Sequence, residues 1–213
     1  MNPTKYASLI IIMFLTSCGL FTSCNQQEEL EPSKKSKTIQ NQQWPASISF
    51  SDTDSSFKVH LSKPFGNLQY SNPEMIQTQL GQARYTVFAN DADKELKLFI
   101  SKSQYNKEAL SKRTSNEILE MSATAFIHDL QGRTSLSMPI FKHNTTHKFH
   151  GLRVFYAFPL QQQDSLFGCS EFFVTGSTVF HTCIITKQKQ LFDTSKDIGL
   201  VFTSFMPLDT QTR

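Results

Sequence analysis

Three histidines within eight residues, His143, His147 and His150, form the densest group of metal-binding side chains in the sequence. Neutral imidazoles in a loop can bind Zn²⁺ or Cu²⁺. No Asp, Glu or Cys stands close by to complete a ligand set, and the Glu that follows the first His in zinc-enzyme helices is replaced by Asn144. The three are therefore weak metal candidates, and the segment reads as a polar turn between strands. No metal or other cofactor is expected.

Cys169 and Cys183 are the second pair with chemistry. In an oxidising compartment such a pair can persist as a disulfide. A turn centred on Gly176 would set Cys169 opposite Cys183, and cross-strand neighbours about 4.5 to 5.5 Å apart are within bridging distance. A two-residue turn at Gly176-Ser177 would set Cys169 opposite Ile184 instead. The alternatives are a bridge worth at most about 3 kcal/mol and two buried thiols acting as small apolar groups. Nucleophile motifs fail. Gly-x-Ser-x-Gly is absent, and Ser55-Ser56-Phe57-Lys58 meets Ser-x-x-Lys without any partner motif, at the mouth of a strand. There is no phosphate loop and no Cys-x-x-Cys. A net charge of +3 is too small to argue for nucleic acid.

The N-terminus carries a different signal. Lys5 precedes an uncharged apolar run, Ala7 to Leu15, too short to cross a hydrocarbon core of about 30 Å. It reads as a signal peptide. Leu15-Thr16-Ser17-Cys18 resembles the lipobox of bacterial lipoproteins, in which the Cys is acylated and becomes the first mature residue. Phe21-Thr22-Ser23-Cys24 is a second candidate, and Asn25-Gln26-Gln27-Glu28-Glu29 after it looks like the surface-export signal of Bacteroidota lipoproteins. Cys24 is favoured, with Cys18 the alternative. The resemblance implies a chain held by lipid in the cell envelope, at the outer membrane and facing the surface.

Those groups need elements to hold them. The reading is a signal over 1–23, a lipidated Cys and tether over 24–46, and one domain over 47–213. Residues 25 to 43 hold only Leu30 and Ile39 as aliphatic side chains, with Glu28, Glu29 and Glu31 ahead of Lys34, Lys35 and Lys37. Such a stretch cannot bury enough surface to offset its ordering entropy. Beyond it, apolar residues recur steadily to Leu208, and 38% of the chain is hydrophobic, enough for a core. Alternation predicts a strand at 57–61, a hairpin over 76–80 and 85–89, and a strand at 96–100. A helix is expected from Glu108 to Gln131, with Ser115 capping its main part and Gly132 ending it. Strands follow at 134–142, 147–158, 167–175 and 178–186. A final helix spans 194–205, with Thr194 opening a capping box. Phe172 and Phe173 must face opposite sides of a sheet covered on both. The order implies α+β: an antiparallel sheet covered by helices.

Three stretches resemble bacterial PsbP/Mog1-like domains: the strand Phe57 to Ser62 running into Lys63-Pro64, the hairpin from Cys169 to Phe180 with Gly176 at its turn, and Phe202-Thr203-Ser204-Phe205 closing the last helix. The resemblance implies an α/β/α sandwich over about 48–208 and a non-catalytic domain that binds a larger protein partner. It carries over no specific binding residue. An envelope hydrolase with a scattered active site, and a carrier of a small ligand or metal, are the other readings.

Overall fold

The computed structural model describes residues 45–90, 96–145, 147–159 and 165–208. Cys18, Cys24 and the tether as far as 44 lie outside them. Eleven strands are formed among the described residues: β1 Ser47–Ser51, β2 Phe57–Ser62, β3 Leu68–Tyr70, β4 Glu74–Thr78, β5 Gly81–Asn90, β6 Leu96–Tyr105, β7 Arg133–His143, β8 Lys148–Pro159, β9 Ser165–Thr175, β10 Thr178–Thr186 and β11 Met206–Pro207. The helices are α1 Lys107–Ser111, α2 Ser115–Asp129, α3 Leu191–Thr194 and α4 Lys196–Ser204.

The large sheet runs β3-β5-β6-β10-β9-β8-β7, with β4 also paired to β5, and β1-β2-β11 form a small second sheet. Every pairing is antiparallel. The expectation of a helix-covered sandwich holds in part: α4 and α2 lie on opposite faces of the antiparallel sheet, but strands dominate. Among the described residues 55% are strand, so the domain is more mostly-β than a helix-covered sandwich. The reason is local. Ile48 and Phe50 alternate with serines and pair with β2, so part of one sheet face is covered by strands rather than by helix.

Period-two alternation builds two cores on the two faces. Phe57, Val59 and Leu61 of β2 and Ile198, Val201 and Phe202 of α4 pack with Leu98, Ile100, Phe173 and Ile184. On the other face Leu119, Ala123 and Ile127 of α2 meet Val154, Tyr156, Phe172 and Cys183. Phe172 and Phe173 do face opposite ways, and each is buried. Full burial of each such side chain contributes about 1.5–3 kcal/mol, so the adjacent pair ties both layers to one strand.

The single helix expected over 108–131 is two. Thr114, not Ser115, caps the second: its hydroxyl accepts from the Glu117 amide, and the Glu117 carboxylate accepts from the Thr114 amide at 2.7 Å. Thr114 is extended (φ −73°, ψ 157°) and so cannot continue α1. At the far end Gln131, not Gly132, takes the left-handed conformation, with φ +54°. The last helix starts later than expected, because Ser195 rather than Thr194 accepts from the Ile198 amide.

Candidate binding surface

The two-residue turn at Gly176-Ser177 decides the cysteines. Thr175 pairs with Thr178, so Cys169 stands opposite Ile184 and Cys183 opposite Ser170. Cys169 then belongs to the core under α4 and Cys183 to the core under α2. Opposite faces cannot be bridged, and both cysteines are free thiols. Burial pushes the Cys183 thiol up to about 12 and the Cys169 thiol well above its usual value.

The histidine segment is the expected turn. Asn144 closes it, its Oδ1 accepting from the His147 amide at 2.6 Å. His150 is drawn onto the sheet, opposite Phe141, and the two rings stack at 5.1 Å. Among the described residues no three His, Cys, Asp or Glu are placed to hold a metal ion.

Three polar clusters that sequence reasoning missed lie inside the fold. Beneath α4, Glu171 is fully buried and bonds the Arg153 guanidinium and Lys142 Nζ. Lys142 also donates to the Phe202 and Phe205 carbonyls, at 2.5 and 3.0 Å, and so caps the negative end of α4. Burial pulls the Lys142 pKa down, and the Glu171 charge opposes that. Near β1, Lys102 Nζ lies 2.8 Å from both Asp52 and Asp54 and donates to Ser56 Oγ at 3.3 Å. Ser56, the residue after the serine of the Ser-x-x-Lys match, thus meets Lys102, and its own hydroxyl donates to Asp52 at 2.6 Å. Lys102 beside Asp54 holds that carboxyl below its usual range.

The third cluster sits under α2. Ser170 Oγ is 2.9 Å from His181 Nε2 and 3.1 Å from the Tyr156 hydroxyl, which also reaches Cys183. His181 stacks on Phe172 at 4.2 Å and meets Phe126 edge-on at 4.4 Å. Burial lowers its pKa to about 3. A sequence signal existed: His181, Thr182 and Cys183 interrupt an otherwise apolar strand. An imidazole of such low basicity is a weak proton acceptor near neutral pH, and it is only 6% exposed. The cluster satisfies polar groups in a core.

An accessible concavity lies outside these clusters. Glu120, Thr124 and His128 of α2 face Thr134 and Ser137 of β7 across a groove of about 490 Å³, floored by Ala123, Ile127, Leu152 and Val154. The floor is apolar and the rim polar, because α2 packs over β8 and leaves β7 uncovered. Beyond the groove the same sheet face continues to Phe141, 54% exposed, with Lys148 Nζ 4.2 Å from its ring centroid. β7 is the sheet edge, and Pro139 in its middle is tolerated there because an edge strand has an unpaired side. No helix among the described residues is long and apolar enough to cross a membrane.

No protein-family model matches the chain, and no curated protein does. Solved structures do. Cyanobacterial PsbP (CyanoP) from Synechocystis superposes with a TM-score of 0.52 at 10% identity, over 84% of this chain and 100% of that one. The fold is therefore PsbP-like. A Pseudomonas aeruginosa protein of unknown function (TM-score 0.41, 10% identity, 77% of this chain and 99% of that one) and a Bacteroides thetaiotaomicron protein (0.40, 9%, 76% and 48%) are more distant.

Proposed function

We propose that this chain is a lipid-anchored envelope protein whose folded part is a non-catalytic binding domain. It takes a protein partner in the groove between α2 and β7. The observation that carries the reading is the groove itself: an apolar floor with a polar rim, open to solvent and continuous with exposed Phe141. That is the composition of a small protein-recognition surface. The lipobox-like segments at Cys24 and Cys18 support the anchor, and the composition of 25–43 supports a tether.

The hydrolase reading would use the Ser170–His181 contact. Its burial and the low basicity of His181 weigh against that use. The test is site-specific photocrosslinking in intact cells, with the crosslinking residue at Ser137 in the groove or at Asp193 in α3. One recurrent protein crosslinked from Ser137 and not from Asp193 supports the reading. Equal crosslinking from both, or none from Ser137, refutes it.

A further inference from the structure

The opposite edge of the large sheet carries a second exposed apolar set. Ile48, Tyr70 and Met75 are 70%, 63% and 61% exposed. The pairings place Tyr70 and Met75 along the same outer side of β5, opposite Phe88 and Arg84. Asp52 is tied to Lys102 of β6, and Phe50, two residues earlier, packs on Phe88 of β5 with ring centroids 5.8 Å apart. The same stride along β1 carries Ile48 past β5, toward the outermost strand β3. There Tyr70 pairs with Phe88, at 6.3 Å between rings. Met75 pairs with Arg84, four residues before Phe88, so it shares the sheet face of Tyr70. Ser62 pairs with Ser47, which brings Lys63 to the same end. Six strand spacings of about 4.8 Å put this edge about 29 Å from β7.

The chain also enters the fold here. Residue 45 precedes Ile48 by three positions, and 20 residues separate it from Cys24. Covalent geometry limits their span to about 70 Å. An acyl group on Cys24 would therefore connect the bilayer to the fold at this edge.

We propose that the edge formed by Ile48, Tyr70 and Met75 rests on the headgroup layer of the membrane that holds the acylated N-terminus. The inference rests on the lipid-anchor reading. Tyr suits that layer because its ring is apolar and its hydroxyl wet. Lys63 follows the strand end beside Ser47 and can meet anionic headgroups. Apolar area at an interface adds to the hold of a lipid anchor. The orientation turns the β7 groove away from the membrane, toward a partner.

The test uses full-length protein purified with its N-terminal modification and reconstituted in phosphatidylethanolamine/phosphatidylglycerol vesicles. A fluorophore is placed at Tyr70→Cys or, as reference at the far edge, at Leu136→Cys, and quenched by brominated lipid. Quenching several-fold stronger at 70 than at 136, and lost in Ile48→Ser/Met75→Ser protein, is expected. Equal quenching in protein whose mass proves the acyl group would overturn the edge alone. A mass without an acyl group would overturn both the edge and the anchor.

Discussion

Lys142 Nζ lies 2.6 Å from the Glu171 carboxylate, inside the fold and directly beneath the C-terminal carbonyls of α4. One cation thus serves two partners on different elements. It neutralises a carboxylate on β9 and caps a helix that belongs to the opposite layer. The contact fixes where α4 sits on the sheet, which apolar packing alone defines less sharply.

Removing that cation leaves Glu171 with Arg153 alone and leaves two helix carbonyls unpaired. Breaking a buried pair in this way costs about 3–5 kcal/mol. Lys142→Met is expected to lower the unfolding free energy by about that much, measured by urea titration. A loss below about 1 kcal/mol, the scale of an exposed pair, would show that the pair is solvated in solution.

His181 makes stability pH-dependent. Its folded pKa, near 3, lies below an unfolded value near 6.5, so the unfolded chain binds the extra proton between those limits. Stability from this group is complete above about pH 6.5 and is lost as pH falls toward 3, by about 2 kcal/mol at pH 5. His181→Phe keeps the ring against Phe172 and removes the proton site. The urea midpoint of that variant should vary less between pH 7 and pH 5 than that of the wild type, and an unchanged slope would refute the assignment.

The two core thiols should be inert while the protein is folded. With Cys183 near 12 and Cys169 higher still, neither presents thiolate at pH 8, and neither is more than 1% exposed. Alkylation of Cys169 and Cys183 should proceed only at the rate of unfolding, and rise sharply through the urea transition. A non-reducing gel should show no mobility change. Rapid native labelling of either cysteine would contradict this packing.

Gly168 lies opposite Tyr156, and a Cβ there would overlap the phenol ring. Gly151 has the same relation to Phe173, whose ring would come within 2.5 Å. Overpacking of this kind costs about 1–3 kcal/mol when the neighbour can shift, and more when it cannot. Gly168→Ala should destabilise by at least the upper figure, because Tyr156 is locked by Ser170 and Cys183. Gly132→Ala, whose nearest contacts are at 3.3 Å, should cost less. Thermal melts of the three variants give the order directly.

Strands β2 and β8 to β10 were legible because each buries one or both faces, β2 and β8 in a regular period of two. The Phe172–Phe173 pair was read correctly for the same reason. The break at Lys112 to Thr114 was not. Thr114 and Ser115 are both good caps, and only the extended backbone at Thr114 chooses between them. β1 was missed because its outward serines and exposed Ile48 give too weak an alternation to separate from a loop.

Composition and local pattern alone determined most of the antiparallel strands, the two-sided core, the polar turn between His143 and Lys148, and the lipobox-like segments. Those features depend on neighbours in sequence, where side-chain chemistry and period suffice. Only the tertiary structure decided the rest. A one-residue choice of turn at Gly176 sent Cys169 and Cys183 to opposite faces. Pairing across 46 to 63 residues assembled Ser56 with Lys102 and Lys142 with the end of α4. The groove exists because α2 stops short of β7. Long-range pairing depends on which strand edges meet, and a period of two says which way a side chain faces but not what it faces.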